Sequence, residues 1–150
     1  MNMLGRTTAP SSRRRGAAAV EFAVVLPVFV LIVFSIIEFG RAMMVLGVIT
    51  NAARSGARAG VVLTGTYTTT TAAVSSTLTN GGVSGTATIT VTVGGTVVTN
   101  DTTFKAAAIA GATVSVRVSV NYSDVTWIPG AGWYLGSAVL TETAIMRREG

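Results

Sequence analysis

The sequence contains no cysteine and no histidine. That double absence excludes a disulfide scaffold, a Cys/His zinc site, thiol catalysis and any histidine-based triad. Acidic residues are scarce, six in 150, so a carboxylate-rich metal cage is hard to assemble. Asp101, Asp124 and Glu142 are too scattered to argue for a calcium site and read as single surface carboxylates. Charged residues make up 11% of the chain against 49% hydrophobic, and the mean hydropathy is +0.60. This balance argues against a disordered chain. The length bounds the protein to about one domain on the usual scale of ~100–200 residues. With no nucleophile–base pair to be built from histidine or cysteine, the chain reads as a non-enzyme with no metal and no cofactor.

Basic charge is present but badly distributed for a nucleic-acid binder. Arg6, Arg13, Arg14 and Arg15 supply four of the eleven basic residues, and beyond Gly16 the chain is nearly neutral. The net charge of +5 therefore reports mainly an N-terminal tail. No spread basic face remains to track phosphates, so nucleic acid is not an expected partner.

What the chain has in excess is one apolar run. From Phe22 to Ile37 there are sixteen residues without a charge, FAVVLPVFVLIVFSII. With Ala17–Glu21 the stretch before Glu38 reaches a helix length of ~32 Å, about one hydrocarbon core. Arg13–Arg15 stand directly before it, and the positive-inside rule keeps them cytoplasmic. The expected arrangement is a single membrane pass with the C-terminal part outside the cytoplasm. Pro27 removes one helix N–H and should kink or loosen the helix.

Beyond the run, Phe39, Met43, Leu46, Ile49, Ala53, Ala57 and Gly60 recur at helical spacing, so the helix should continue to about Val62. Its outer half would be amphipathic. Glu38 and Arg41 lie i,i+3 just past the membrane boundary and read as an interfacial pair or as a determinant of helix register. Gly56 and Gly60 mark a place where a sheet or a neighbouring helix comes close. Thr64–Thr71 reads as a connection, and Thr71–Thr79 as a short second helix stopped by Asn80-Gly81-Gly82. The period then becomes two. Thr86–Val93 alternates valine, isoleucine and alanine with threonine, Gly94-Gly95 is a hairpin turn into Thr96–Thr99, and Ala112–Tyr122 is the clearest strand. Trp127 and Trp133 bracket a Pro/Gly loop, either capping a small core or forming an adhesive surface. Ala138–Arg147 is the last strand, with Glu142 on the face of Leu140 and Ala144. The fold class is α+β: a long N-terminal transmembrane helix whose outer half packs on a small antiparallel sheet.

The junction between tail and run carries the most specific motif, GAAAVEF from Gly16 to Phe22. A carboxylate at a membrane helix centre costs roughly 2.5–3.5 kcal/mol on insertion scales, and less near an end, as at Glu21. Glu21 either snorkels to the cytoplasmic headgroups or has a partner. The segment resembles the cleavage site of type IV prepilins, and most closely the TadE-like family of tight-adherence pilus assembly proteins. In that family a leader ends in Gly, with Glu and an aromatic five and six residues beyond, as Gly16, Glu21 and Phe22 stand here. The resemblance extends through LPVFVLIVFSIIEFGRAM to TNAARSGARAG, about residues 14–60. It implies a substrate rather than a catalyst. A prepilin peptidase would cut between Gly16 and Ala17, and the new amine is often methylated in the wider superfamily. Glu21 and Phe22 would serve subunit pairing.

The expected domains are then residues 1–16 as a cleaved basic leader, 17–62 as a TadE-like transmembrane and amphipathic helix, and 63–150 as an extracytoplasmic β-rich domain. The partners implied are the membrane, the peptidase, other pilins and inner-membrane pilus assembly proteins. The expected location is the bacterial inner membrane, N-terminus inside, with entry into a surface pilus left open. The function implied is that of a minor pilin or pseudopilin in a tight-adherence (type IVb/Flp) pilus or related secretion system. The rival reading is an unprocessed single-pass anchor carrying an adhesin or envelope-binding module.

Overall fold

The apolar run and the alanine-rich stretch after it form one helix, α1 (Ser12–Val61). This comes from a computed structural model that describes residues 12–83, 87–126 and 138–148, with side chains from Gly16 onward. The helix starts five residues before the expected Ala17 and runs through Pro27 without interruption. The chain divides into two compact units, Met1–Ile37 and Glu38–Gly150. The second half of α1 is thus part of the same unit as the sheet.

In the first unit, every side chain from Gly16 to Ile37 is exposed. Hydrophobicity there runs all round the helix rather than along a stripe.

In the second unit α1 is followed by α2 (Tyr67–Asn80). This helix begins four residues before the expected Thr71. Its start is a capping box: Thr66 Oγ1 accepts from the Thr69 N–H at 3.1 Å, and Thr69 Oγ1 accepts from the Thr66 N–H at 2.9 Å. Threonine stands where Glu or Gln usually closes such a box, so Thr64–Thr71 looked like a connection. Gly81 ends the helix with its N–H on the Thr77 carbonyl.

The sheet has four antiparallel strands: β1 (Thr88–Val93), β2 (Thr96–Val98), β3 (Thr113–Asn121) and β4 (Val139–Arg147), in the order β2-β1-β3-β4. Gly94 and Gly95 take φ of +57° and +85°, the two positive values a tight hairpin of this hand needs. Between β2 and β3 lies a helix that the sequence reading missed, α3 (Asp101–Ala107). Asn100 caps it, with Oδ1 accepting from the Thr103 N–H at 2.8 Å. A 3-10 turn, Tyr122–Asp124, follows β3. The loop of Trp127, Pro129, Gly130, Gly132 and Trp133 lies outside the described residues, as do residues 1–11.

Alternation in β3 sends Val114, Val116, Val118 and Val120 to one face, all essentially inaccessible to solvent. They pack with Val45, Ile49, Ala53 and Ala57 of α1, Val74 of α2 and Phe104 of α3. Gly56 and Gly60 are where the helix comes closest to its neighbours. A Cβ on Gly56 would collide with Val74 Cγ2, and one on Gly60 would stand 3.0 Å from Thr70 Oγ1 and Val114 Cγ1. The close approach expected of this glycine pair is thus to both α2 and β3. Glu142 is half-buried, opposite Val118 and on the side of Leu140 and Ala144.

Candidate functional site

The residues singled out by the sequence fall into two groups, one in each unit. Gly16, Ala17, Glu21 and Phe22 lie on α1 in the first unit, and all are exposed. Gly16 has open space where a side chain would stand. Ala17 and Glu21 are four residues apart and share a face of the helix. The Gly16–Ala17 bond is helical rather than extended.

From Phe22 to Ile37 the exposed side chains are mostly large and apolar; Phe22 and Leu31 keep 65% and 66% of their surface. The helix from Gly16 to Val61 is long and apolar enough to cross a membrane, and its most apolar stretch is not buried. A core helix of a water-soluble domain would bury at least one stripe.

Glu38 and Arg41 belong to the second unit, and there the structure supplies partners that the sequence did not show. Glu38 is buried, with 7% of its surface exposed. Its Oε1 accepts a hydrogen bond from Tyr122 Oη at 2.7 Å. Arg41 donates through Nε to the Val125 carbonyl. The first turn of α1 beyond the apolar run is thereby tied to the 3-10 turn after β3. Burial, and then the hydrogen bond to Glu38, push the Tyr122 phenol up to about 12. One signal for Tyr122 was legible: it continues the buried parity of Val114–Val120, and a buried phenol needs a partner for its hydroxyl.

Two further polar groups hold the opposite end of α1 and the helix connections. Arg148 is buried; its Nη1 donates to the Gly60 carbonyl at 3.0 Å and its Nη2 to the Leu63 carbonyl at 2.8 Å. The guanidinium also lies over the Phe104 ring, 6.0 Å from its centre. It satisfies carbonyls that the end of a helix leaves open. Asp101, expected as an isolated surface carboxylate, accepts from the Thr68 N–H at 2.8 Å and from Thr68 Oγ1 at 3.0 Å. The backbone bond from Thr68 is the main reason that its carboxyl is held below the usual 3.8. Among the described residues no group of three His, Cys, Asp or Glu could hold a metal ion.

The geometry of the first group suits a membrane segment, and its residues carry a likeness to a known family. Residues 16–58 match the family model described as TadE-like protein. The match opens at Gly16 and closes in the last turns of α1, so the TadE-like segment is this helix. It leaves α2, α3 and the sheet outside. No curated protein and no solved structure matches the chain.

Proposed function

We propose that this chain is a non-catalytic minor pilin or pseudopilin that takes part in assembling a tight-adherence pilus. The observation that carries the reading is the TadE-like helix, whose apolar half is wholly exposed. Residues 17–37 anchor the chain in the inner membrane. Arg13–Arg15 hold the N-terminus in the cytoplasm, and the unit from Glu38 onward lies outside. Prepilin peptidase adds water across the Gly16–Ala17 amide, releasing the leader with a C-terminal carboxylate and leaving an ammonium on Ala17. The bond must first leave the helical conformation.

Glu21 then has a role that snorkelling alone does not give it. Within one subunit the amine at Ala17 heads the helix and does not reach a side chain four residues along without bending back. In a neighbouring subunit displaced along the helix axis, the amine comes beside Glu21. Desolvation offsets much of the attraction of such a pair, so its main product is register rather than stability.

The intact mass of the membrane-extracted protein tests processing. A dominant species beginning at Ala17, methylated or not, is expected in cells with an active peptidase, and Gly16→Leu should block the cut. Retention of residues 1–16 would instead leave an unprocessed single-pass anchor, the adhesin reading. Glu21→Gln tests pairing: it should be inserted and cleaved yet fail to copurify with partner pilins. Normal recruitment of the cleaved variant returns Glu21 to the headgroup reading.

A further inference from the structure

The two edges of the sheet differ in length. Among the described residues no strand pairs with the free side of β2 or of β4. β2 offers three residues, too few for a stable ladder. β4 offers nine, VLTETAIMR, with no proline and no glycine. An unpaired edge of that length is a template for the same edge of another copy. One residue of β4 breaks the apolar pattern of its face. Leu140, Glu142, Ala144 and Met146 share the face of the core valines, and all four are half-buried. Val118, beside Glu142 on β3, is inaccessible to solvent. A carboxylate on the core side of a sheet needs a partner or water. Glu142 makes no hydrogen bond or ion pair, and no buried polar side-chain atom is left unsatisfied among the described residues. Its oxygens therefore keep their water, which an edge strand allows and a central strand would not.

We infer that Glu142 keeps the β4 edges of two copies from pairing, and so holds the longer edge of the sheet open. Two copies meeting edge to edge pair antiparallel about a twofold axis. Pairing all nine residues sets Thr143 opposite Thr143 of the second copy and Glu142 opposite Ala144. The two carboxylate side chains then stand diagonally across the new seam, about 7–8 Å apart at the backbone, on the same half-buried face. Sliding the pair to centre on Glu142 brings them directly opposite, at about 4.5–5.5 Å. Sliding it to centre on Ala144 sets each glutamate against Met146 and covers the free side through which it is hydrated. Each of these registers brings like charges together or strips a carboxylate of solvent without giving it a cation, and both are unfavourable. Glu142 is effective because it stands near the middle of the strand and on the face that pairing would bury. The short edge, β2, has no charge and needs none. Glu142 belongs to the second unit, so this role does not depend on the membrane reading of the first.

Disulfide crosslinking of the full chain in detergent tests this. The chain has no native cysteine, and Thr143 is exposed on the other face of β4. Thr143→Cys therefore reports full-overlap pairing without background, since directly opposed residues of two strands lie within disulfide reach. With Glu142 in place, little linked dimer is expected. Adding Glu142→Gln removes the charge and keeps the size, and should raise the linked fraction roughly tenfold. Adding Glu142→Lys instead restores repulsion and should stay at the level of the parent. Mixed with the Glu142-bearing chain, and told apart by a size tag, the Glu142→Lys chain should crosslink as well as the glutamine variant, because the seam then carries opposite charges. Equal crosslinking in all four samples overturns the inference. So does a rise with Glu142→Lys alone that matches Glu142→Gln, since repulsion would then not be the cause. Absence of a rise in both the glutamine variant and the mixture shows that the β4 edges do not pair even without the charge, and overturns it too.

Discussion

The two halves of α1 have the same backbone and opposite surroundings. Between 17 and 37 the helix is rich in Val, Leu, Ile and Phe, and every one of these side chains is exposed. Between 38 and 61 alanine and glycine take over, and Val45, Ile49, Ala52, Ala53, Gly56, Ala57 and Gly60 are buried on one side. The difference shows what sets side-chain size on a helix. On the proposed reading the neighbour of the first half is lipid, where bulk is welcome in all directions because the solvent moulds itself to it. Where the neighbours are α2 and β3, small residues let three backbones approach, and the remaining large ones must fit fixed gaps.

Replacing the same residue type in each half gives the sharpest break in this comparison. Ile49→Ala empties a site with no solvent access and should cost about 2–5 kcal/mol. Ile32→Ala removes the same atoms from the exposed half and should leave unfolding of the second unit unchanged. Urea unfolding of the full chain in detergent, followed by tryptophan fluorescence, measures both. Equal losses would mean that the first half is packed against protein.

Next in size is Tyr122→Phe. It removes the hydroxyl that Glu38 accepts from, and hydrogen bonds to charged groups are worth roughly 1.5–3 kcal/mol. The pH dependence identifies the source. The folded state holds the phenol proton more tightly than the unfolded chain, whose tyrosine has a pKa near 10. The contribution is therefore whole below about pH 10 and is lost as the pH rises towards about 12. The phenylalanine variant should lack that alkaline slope. A wild-type midpoint that stays flat across this window counts against the bond to Glu38.

The glycines provide a third pair. Gly56→Ala must displace Val74 and should cost about 1–3 kcal/mol by overpacking. Gly40→Ala meets nothing within 4 Å and should stabilise by about 0.5–1 kcal/mol through helix propensity. The opposite order of melting temperatures would misplace the seam between α1 and α2.

The smallest effect expected is at Asp101. Its carboxyl is depressed chiefly by the Thr68 N–H, so its contribution is present above the usual 3.8 and is lost as the pH falls below it. Asp101→Asn should flatten the acid limb of a pH–melting curve and leave the neutral range almost unchanged.

Local patterns made much of this visible in advance. The membrane-length run, the hairpin at Gly94-Gly95 and the alternation of β3 are repeats in which every residue votes for the same element. The TadE-like stretch was legible because it is contiguous. The missed helix α3 and the misplaced start of α2 had weak or unusual signals: α3 is seven residues long, and both α2 and α3 open with a threonine-closed box. Asp101 to Thr68, Tyr122 to Glu38 and Arg148 to Gly60 span 33, 84 and 88 residues, distances over which no periodicity carries information.

The sequence by itself thus determined a helix long and apolar enough to cross a membrane, a stretch similar to the TadE-like family, and strands with one valine face. Hydrophobic period and residue size suffice for that, since each depends only on neighbours within a turn or two. Tertiary structure alone decided what surrounds the first charges after the apolar run. Glu38 and Arg41 look like a boundary in the sequence, but folding brings Tyr122 and the Val125 carbonyl to them. A charge that has found its partners inside the protein no longer needs water.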